Sequence, residues 1–280
     1  GEYSKAKKIN EHLAVDAETY QLAMGVGSQR AGLNTSRLKE TYSVVKNYDV
    51  PLRIGNIGAS QLVIWGHEKT VDRVSKMVEM IDAHAIAICL NFLQEVIQFE
   101  GEATAEGTLD AIHKLAETID VPVIVKESGA GISFDVAQRL AETPIAAIDI
   151  GGMGGTSFAA IEHYRAKLHF DRLHARGGKT FWDWGIPSPQ SLMEVRDAID
   201  DKFPIIASGG IRHGLDAAKA LALGANLVGV AHTLLKPATK SEKETMFEID
   251  AIVKELRAAM FLTGCDHVDS LQFVEVDGWI

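Results

Sequence analysis

The stretch Pro204–Gly214, PIIASGGIRHG, decides the fold. Ile205 to Ser208 are apolar or small and run straight into the paired glycines Gly209 and Gly210, so a buried strand ends where backbone can approach a ligand. Ile211 and Arg212 follow, and the arginine sets a fixed cation beside the free N–H groups of a helix start, a pairing suited to phosphate. The next apolar run, Leu227–Ala231, supplies a second strand-to-loop unit. Two such units in succession match the last two βα loops of a (β/α)8 barrel, where that fold usually holds phosphate. The competing view is a plain glycine turn with a solvated arginine.

Working outward, apolar runs predict strands near Leu22–Val26, Leu52–Ile57, Ala85–Asn91, Pro122–Glu127, Ala146–Ile150, Ile205–Ser208 and Leu227–Ala231. Amphipathic stretches between them predict helices over Ser4–Tyr20, Ser36–Lys46, Glu68–Asp82, Gly107–Thr118, Phe134–Glu142, Ser188–Asp200, His213–Leu223 and Glu242–Leu262. Several strands are continuously apolar, the mark of a parallel sheet covered on its outer face. The expectation is an α/β fold, a TIM (β/α)8 barrel in a single domain spanning 1–280. Because Gly1 stands directly before a helical pattern, the first strand is expected to be missing and the domain N-terminally incomplete; a seven-stranded open sheet is the alternative.

A chain of 280 residues with 46% hydrophobic residues can bury a large core. Its net charge of −10 argues against a nucleic-acid partner or an anionic membrane surface, either of which calls for a basic face. Lys5, Lys7 and Lys8 read as a solvated helix face. The two cysteines, Cys89 and Cys265, make neither a disulfide framework nor a cysteine metal site. No apolar run spans a bilayer and no charged-then-apolar leader is present, so a soluble, cytoplasmic protein is expected.

Polar and glycine-rich residues concentrate at the strand ends, the face that bears chemistry in this fold. Lys126 rises from the strand Val123–Val125 into the barrel mouth, to form a Schiff base, pair with a carboxylate or balance an anion, or else to bridge Glu127. Asn91, Gln94 and Glu95 join one carboxylate to neutral amides, which suits Mg²⁺ meeting a diphosphate; the plainer alternative is the start of the next helix. The Gly151–Thr156 loop, GGMGGT, either cradles a phosphate or planar ring or is simply flexible. Trp182 and Trp184 either wall off water or anchor their own loop. The pairs His163/Lys167 and His169/His174 lack a zinc pattern and read as solvated.

Taken together, Gly25–Arg30 (GVGSQR), Asn56–Ala59 (NIGA), Leu90–Glu95 (LNFLQE), Val123–Glu127 (VIVKE), Gly154–Ser157 (GGTS), Phe181–Pro187 (FWDWGIP) and Ser208–Arg212 (SGGIR) resemble type 2 isopentenyl-diphosphate isomerases, the archaeal branch most closely. These motifs run in order through nearly the whole chain. The resemblance implies a TIM barrel with FMN kept reduced by NADPH, with Mg²⁺ on a small-molecule diphosphate substrate, and a homo-oligomer, tetramer or octamer. It implies exchange of isopentenyl and dimethylallyl diphosphate by a proton shift without net redox change. Carried over by position, Ser28, Asn56, Lys126 and Thr156 contact FMN, and Gly209, Gly210, Ile211, Arg212, Ala231 and His232 hold its phosphate. Ser28, Gln29, Arg30 and Asn91 face substrate, Gln94 is the catalytic group near the reacting carbons, and Glu95 binds the metal.

The chain departs from the family pattern in places. Cys89 stands where histidine is usual, and a thiol is a weak donor with a pKa near 8.5, so affinity or activity is expected to suffer. Phe99 replaces a proline, and Gly151 a small hydroxyl residue. The family's N-terminal arginine–lysine pair and flavin-binding turn have no counterpart before Gly1, from which weak FMN and substrate binding is expected. Two readings compete with the isomerase. One is another FMN-dependent barrel oxidoreductase, of the 2-hydroxyacid oxidase or IMP dehydrogenase kind, whose active-site histidine–glycine pair or nucleophilic cysteine loop is not found here. The other is a non-catalytic flavin or prenyl-phosphate binding protein.

Overall fold

Strand follows helix along the chain, and the strands assemble side by side in chain order in the computed structural model, which describes residues 2–200 and 203–277. The seven strands are β1 (Ala23–Gly25), β2 (Leu52–Gly58), β3 (Ala85–Cys89), β4 (Val123–Lys126), β5 (Ala147–Asp149), β6 (Ile205–Ser208) and β7 (Leu227–Gly229). Every neighbouring pair is parallel, so each connection must cross back over the sheet, and helices make the crossings. Helix α1 (Glu2–Tyr20) leads into β1; α2 (Arg30–Asn34) and α3 (Ser36–Ser43) reach β2; α4 (Ala59–Trp65) and α5 (His67–Ile81) reach β3. Next come α6 (Phe92–Ile97) and α7 (Thr108–Thr118) before β4, and α8 (Phe134–Ala141) before β5. Helices α9 (Phe158–Leu168), α10 (Arg172–Thr180) and α11 (Ser188–Ala198) precede β6, α12 (Gly214–Ala222) precedes β7, and α13 (His232–Ala238) and α14 (Glu242–Leu262) follow it.

Strand register sorts the side chains into two layers. Ile57, Ile86, Ile88, Val125, Ile148 and Ile205 face the helices and are buried in one core with Leu62, Met77, Ile112, Leu115 and Leu192. Burying each such side chain is worth roughly 1.5–3 kcal/mol relative to leaving it exposed. The opposite, inward face is filled low down by Leu52, Ile54, Ala85, Ala87, Ile124, Ala147 and Ile206. The small alanines let the sheet curl tightly, because the concave side has less room than the convex.

The sheet is a curled, partly closed barrel. Among the described residues β1 and β7 each have a single strand neighbour. Helix α1 bridges them from outside by packing on α13 and α14, where His12 Nδ1 lies 2.8 Å from the Ala238 carbonyl and Tyr20 donates to Asp250 at 2.7 Å. Among the described residues no helix is long and apolar enough to cross a membrane.

All seven predicted strands and the eight predicted helices are found, shifted by a few residues at their ends. Helices α2, α4, α6, α9, α10 and α13 are additional, and one correction follows from them. His163, read as solvated, is buried on α9 at 8% exposure, with Nδ1 2.5 Å from the Ala175 carbonyl of α10.

Candidate active site

The inward face changes character at the strand ends. Cys89 of β3, Lys126 of β4 and Asp149 of β5 stand level in register, Ser208 of β6 reaches Asp149 by a hydrogen bond, and Asn56 of β2 lies one inward position lower, opposite Ala87. Cys89 and Lys126 are register partners, as are Lys126 and Asp149. Lys126 Nζ lies 3.9 Å from Cys89 Sγ and donates to the Glu127 carbonyl at 2.9 Å, while Ser208 donates to Asp149 at 2.5 Å. Burial works against the Lys126 ammonium, but Cys89, Asp149 and Glu127 together outweigh it and hold the group above its ordinary value. Burial pushes both the Asp149 carboxyl and the Cys89 thiol up, with Lys126 opposing in each case. The layer therefore presents a fixed cation, a short hydrogen-bonded acid and an unpartnered acceptor, since Asn56 Oδ1 is buried with no hydrogen-bond partner.

The loops after β5 and β6 interlock above it. A Cβ on Gly209 would lie 2.2 Å from the Gly152 carbonyl, and one on Gly155 would lie 2.8 Å from the Gly210 amide, so backbone passes against backbone. Gly209 and Gly210 adopt φ of +94° and +86°, values that glycine reaches without a Cβ clash. Arg212 ties the two loops together, its Nη2 donating to the Gly154 carbonyl at 2.6 Å. A cavity of about 170 Å³ opens beside Gly154, Gly209, Gly210 and Arg212 and runs down between β6 and helices α11 and α12.

A smaller cleft lies next to it, lined by Asn91, Gln94, Ser128, Ser157, Phe158 and Trp184. Asn91 begins α6, so Gln94 and Glu95 ride on its first turns. Gln94 Nε2 donates to Glu162 Oε1 on α9 at 3.1 Å, and Glu162 is a carboxylate only 2% exposed. Glu95 is also buried and accepts from Asn91 Nδ2 at 3.1 Å, Gln98 Nε2 at 2.9 Å and the Glu102 amide at 2.8 Å. Glu102 in turn holds Arg30 at 2.6 Å and Gln61 at 2.6 Å, joining the β1 loop to the β3 loop. Ser157 caps α9 through the Ala160 amide and donates to the Trp182 carbonyl at 2.6 Å, fixing the tryptophan loop. Trp182 packs edge-on against His163 and Tyr164, whereas Trp184 is exposed.

Comparison with known proteins supplies the family. A family model described as FMN-dependent dehydrogenase matches residues 71–276. A Thermoplasma volcanium protein named isopentenyl-diphosphate delta-isomerase is 46% identical over 268 residues, which cover 95% of this chain and 76% of that protein. The chain belongs to the isopentenyl-diphosphate delta-isomerase family. A Pyrococcus furiosus isopentenyl-diphosphate delta-isomerase is 45% identical over 273 residues, covering 97% of this chain and 68% of that one. Among solved structures, a mandelate oxidase variant with (S)-mandelic acid aligns with a TM-score of 0.65 at 18% identity, over 97% of this chain and 74% of its own. A mandelate oxidase with (S)-2-phenylpropionate aligns at 0.63 and 17% identity, over 94% and 71%. These two share the barrel fold.

For an isopentenyl-diphosphate delta-isomerase chain the residue placements are informative. Lys126, Thr156 and Gly209–Arg212 stand at the strand ends with Asn56 one inward position below, and their chemistry fits a flavin mononucleotide: an orphaned buried acceptor, a buried cation and a glycine cradle with an arginine. Ala231 and His232 are exposed at the start of α13, after β7. Ser28 is exposed and its carbonyl accepts from Tyr42 at 2.7 Å. Gln29 points inward instead of toward open space: it is fully buried, donates to the Met77 carbonyl at 3.0 Å and accepts from the Asn56 amide at 3.1 Å. For a metal, Glu95 keeps one of its four lone-pair directions, on Oε1, after its three donors are counted. Among the described residues no cluster of three or more His, Cys, Asp or Glu side chains is placed to hold a metal. One carboxylate with an open lone pair fits a cation held mainly by phosphate oxygens and water. Glu162 was missed in the sequence, and a signal existed: an acid three residues before an arginine on one helix, Glu162 and Arg165.

Proposed function

We propose that this chain interconverts isopentenyl and dimethylallyl diphosphate by a 1,3-proton shift, using reduced FMN and Mg²⁺. The observation supporting it is that a Gln94–Glu162 pair and a Lys126-centred polar layer lie on one rim in a chain up to 46% identical to proteins named for that reaction. An electron-rich reduced flavin, when bound, supplies stabilisation for the positive charge that develops when an unactivated alkene is protonated.

The protein's own part is binding and orientation. Asn56, Lys126 and Thr156 would hold the flavin ring, and Gly209 to Arg212 with Ala231 and His232 would receive its phosphate through backbone N–H groups and the guanidinium. Ser28, Arg30 and Asn91 receive the diphosphate, and Arg30 must exchange its Glu102 partner to do so. Glu95 would offer its open Oε1 lone pair to Mg²⁺, leaving the other positions to phosphate oxygens and water. Gln94 stands nearest the carbons and positions or relays the proton, because an amide is too weak an acid to drive the transfer alone. Phe158 and Trp184 line that cleft and exclude water from the cation. NADPH as the flavin's reductant, a single barrel domain, homo-oligomeric assembly and a cytoplasmic site belong to the same reading.

The purified chain, reconstituted with FMN, reduced and supplied with Mg²⁺, is expected to convert isopentenyl diphosphate to its allylic isomer. No turnover under those conditions would overturn the reading in favour of a flavin-binding protein without this activity. Lys126→Ala is expected to lower flavin retained after gel filtration by about tenfold, as the loss of a buried charge contact predicts. Unchanged retention would remove Lys126 from the flavin site.

A further inference from the structure

Gln94 ends in a primary amide, which can present either its N–H groups or its carbonyl oxygen to the cleft by turning over. Glu162 removes that freedom. An ionised carboxylate only accepts, so the Gln94 NH2 must face Glu162 Oε1, as it does at 3.1 Å, and the carbonyl oxygen is left for the cleft that Gln94 lines. A carboxylate 2% exposed is costly unless a counter-charge reaches it. Arg165 reaches it from one turn further along α9, with Nη1 2.6 Å from the other oxygen, Oε2.

Arg165 has a second arm. Its Nη2 pairs with Glu100, on the loop that leaves α6, and its Cζ lies 5.9 Å from the Phe99 ring centroid. Glu100 and Glu162 together hold the guanidinium above its ordinary value; burial raises the Glu100 carboxyl, but the Arg165 bond and charge, with the Glu100 backbone amide and His169, together outweigh it and leave the group below its usual range. The planar fork therefore clamps a buried acid on α9 and an outer acid just after α6, the helix that carries Gln94.

We propose that Arg165 is a positioning residue that fixes the Gln94 amide in one orientation by holding Glu162 against it. This rests on the reading that Gln94 lies beside the reacting carbons. Arg165 does not itself line the cleft, and it acts through Glu162.

Two measurements test it. In the isomerase assay, Arg165→Gln is expected to lower kcat about 10- to 100-fold with KM within about threefold. The double variant Arg165→Gln/Glu162→Gln is expected to be no slower than Glu162→Gln alone. Glu100→Gln, which cuts only the outer arm, is expected to keep kcat within about threefold of wild type. Additive losses in the double variant, or a Glu100→Gln loss equal to that of Arg165→Gln, would overturn the proposal.

The second measurement does not depend on turnover. In the ¹⁵N-labelled full chain, the side-chain NH2 signals of Gln94, assigned by their loss in Gln94→Leu, should move on Arg165→Gln and stay put on Glu100→Gln. Unmoved signals in Arg165→Gln refute the clamp whether or not the chain is an isomerase. Absent turnover with moved signals sinks only the functional reading.

Discussion

An alanine methyl on Gly209 would sit 2.2 Å from the Gly152 carbonyl, in a backbone conformation of φ +94° that side chains rarely adopt. Gly209→Ala is therefore expected to cost at least about 2 kcal/mol in urea unfolding, and to reduce FMN retention because the β5 and β6 loops must part. Unchanged stability would show that the two loops do not interlock in solution. Residues of this kind were legible in the sequence because their signal is local: paired glycines after an apolar run, or Lys126 after three β-branched residues. Glu162 was legible only as half of an i,i+3 ion pair with Arg165, since its site partner Gln94 lies 68 positions away. Gln29 shows the same limit from the other side. Its motif sits beside exposed Ser28, yet the chain turns there and directs the amide into the gap between β2 and α5.

Elements were read well where periodicity ran long and poorly where it did not. Helices α2, α4, α6 and α13 are five to seven residues each, too short to show a repeat, and α9 is amphipathic only weakly because it is buried against both α6 and α10. The docking of α1 on α14 adds a feature no periodicity shows. Asp16 lies on the buried face of α1 with neither carboxylate oxygen hydrogen-bonded, and the neighbouring Thr245 hydroxyl donates to the Ser241 carbonyl instead. Burial, with the Glu242 charge adding and Thr245 and His12 opposing, raises the Asp16 pKa to about 6. The folded chain thus holds this proton more tightly than the unfolded chain. Stability is untouched below about pH 4, falls as pH rises toward about 6, and stays lowered above that. Asp16→Asn is expected to raise stability by about 1–2 kcal/mol at pH 7 and to give no gain at pH 4, measured by denaturant midpoints at the two pH values. A gain independent of pH would mean the aspartate is not charged in that interface.

At the scale of the whole molecule, the apolar strands and the helices between them were enough to read the order of a parallel sheet, because parallel neighbours admit few connections. They could not reveal how the curl is held between β7 and β1, where side chains from opposite ends of the chain do the work. His12 meets Ala238 across 226 positions, and Tyr20 meets Asp250 across 230. Contacts of that span close very large loops, so they form after the nearer strand pairs have condensed. Tyr20→Phe is accordingly expected to leave the refolding rate unchanged and to speed unfolding roughly two- to fivefold, the equivalent of about 0.5–1 kcal/mol lost on one side of the barrier. Stopped-flow chevrons would decide it, and a slower refolding arm would place α1 in the nucleus instead. The seam made by α1, α13 and α14 is then the last part of the chain to assemble and the first to open, so limited proteolysis of the native protein should begin its nicking there.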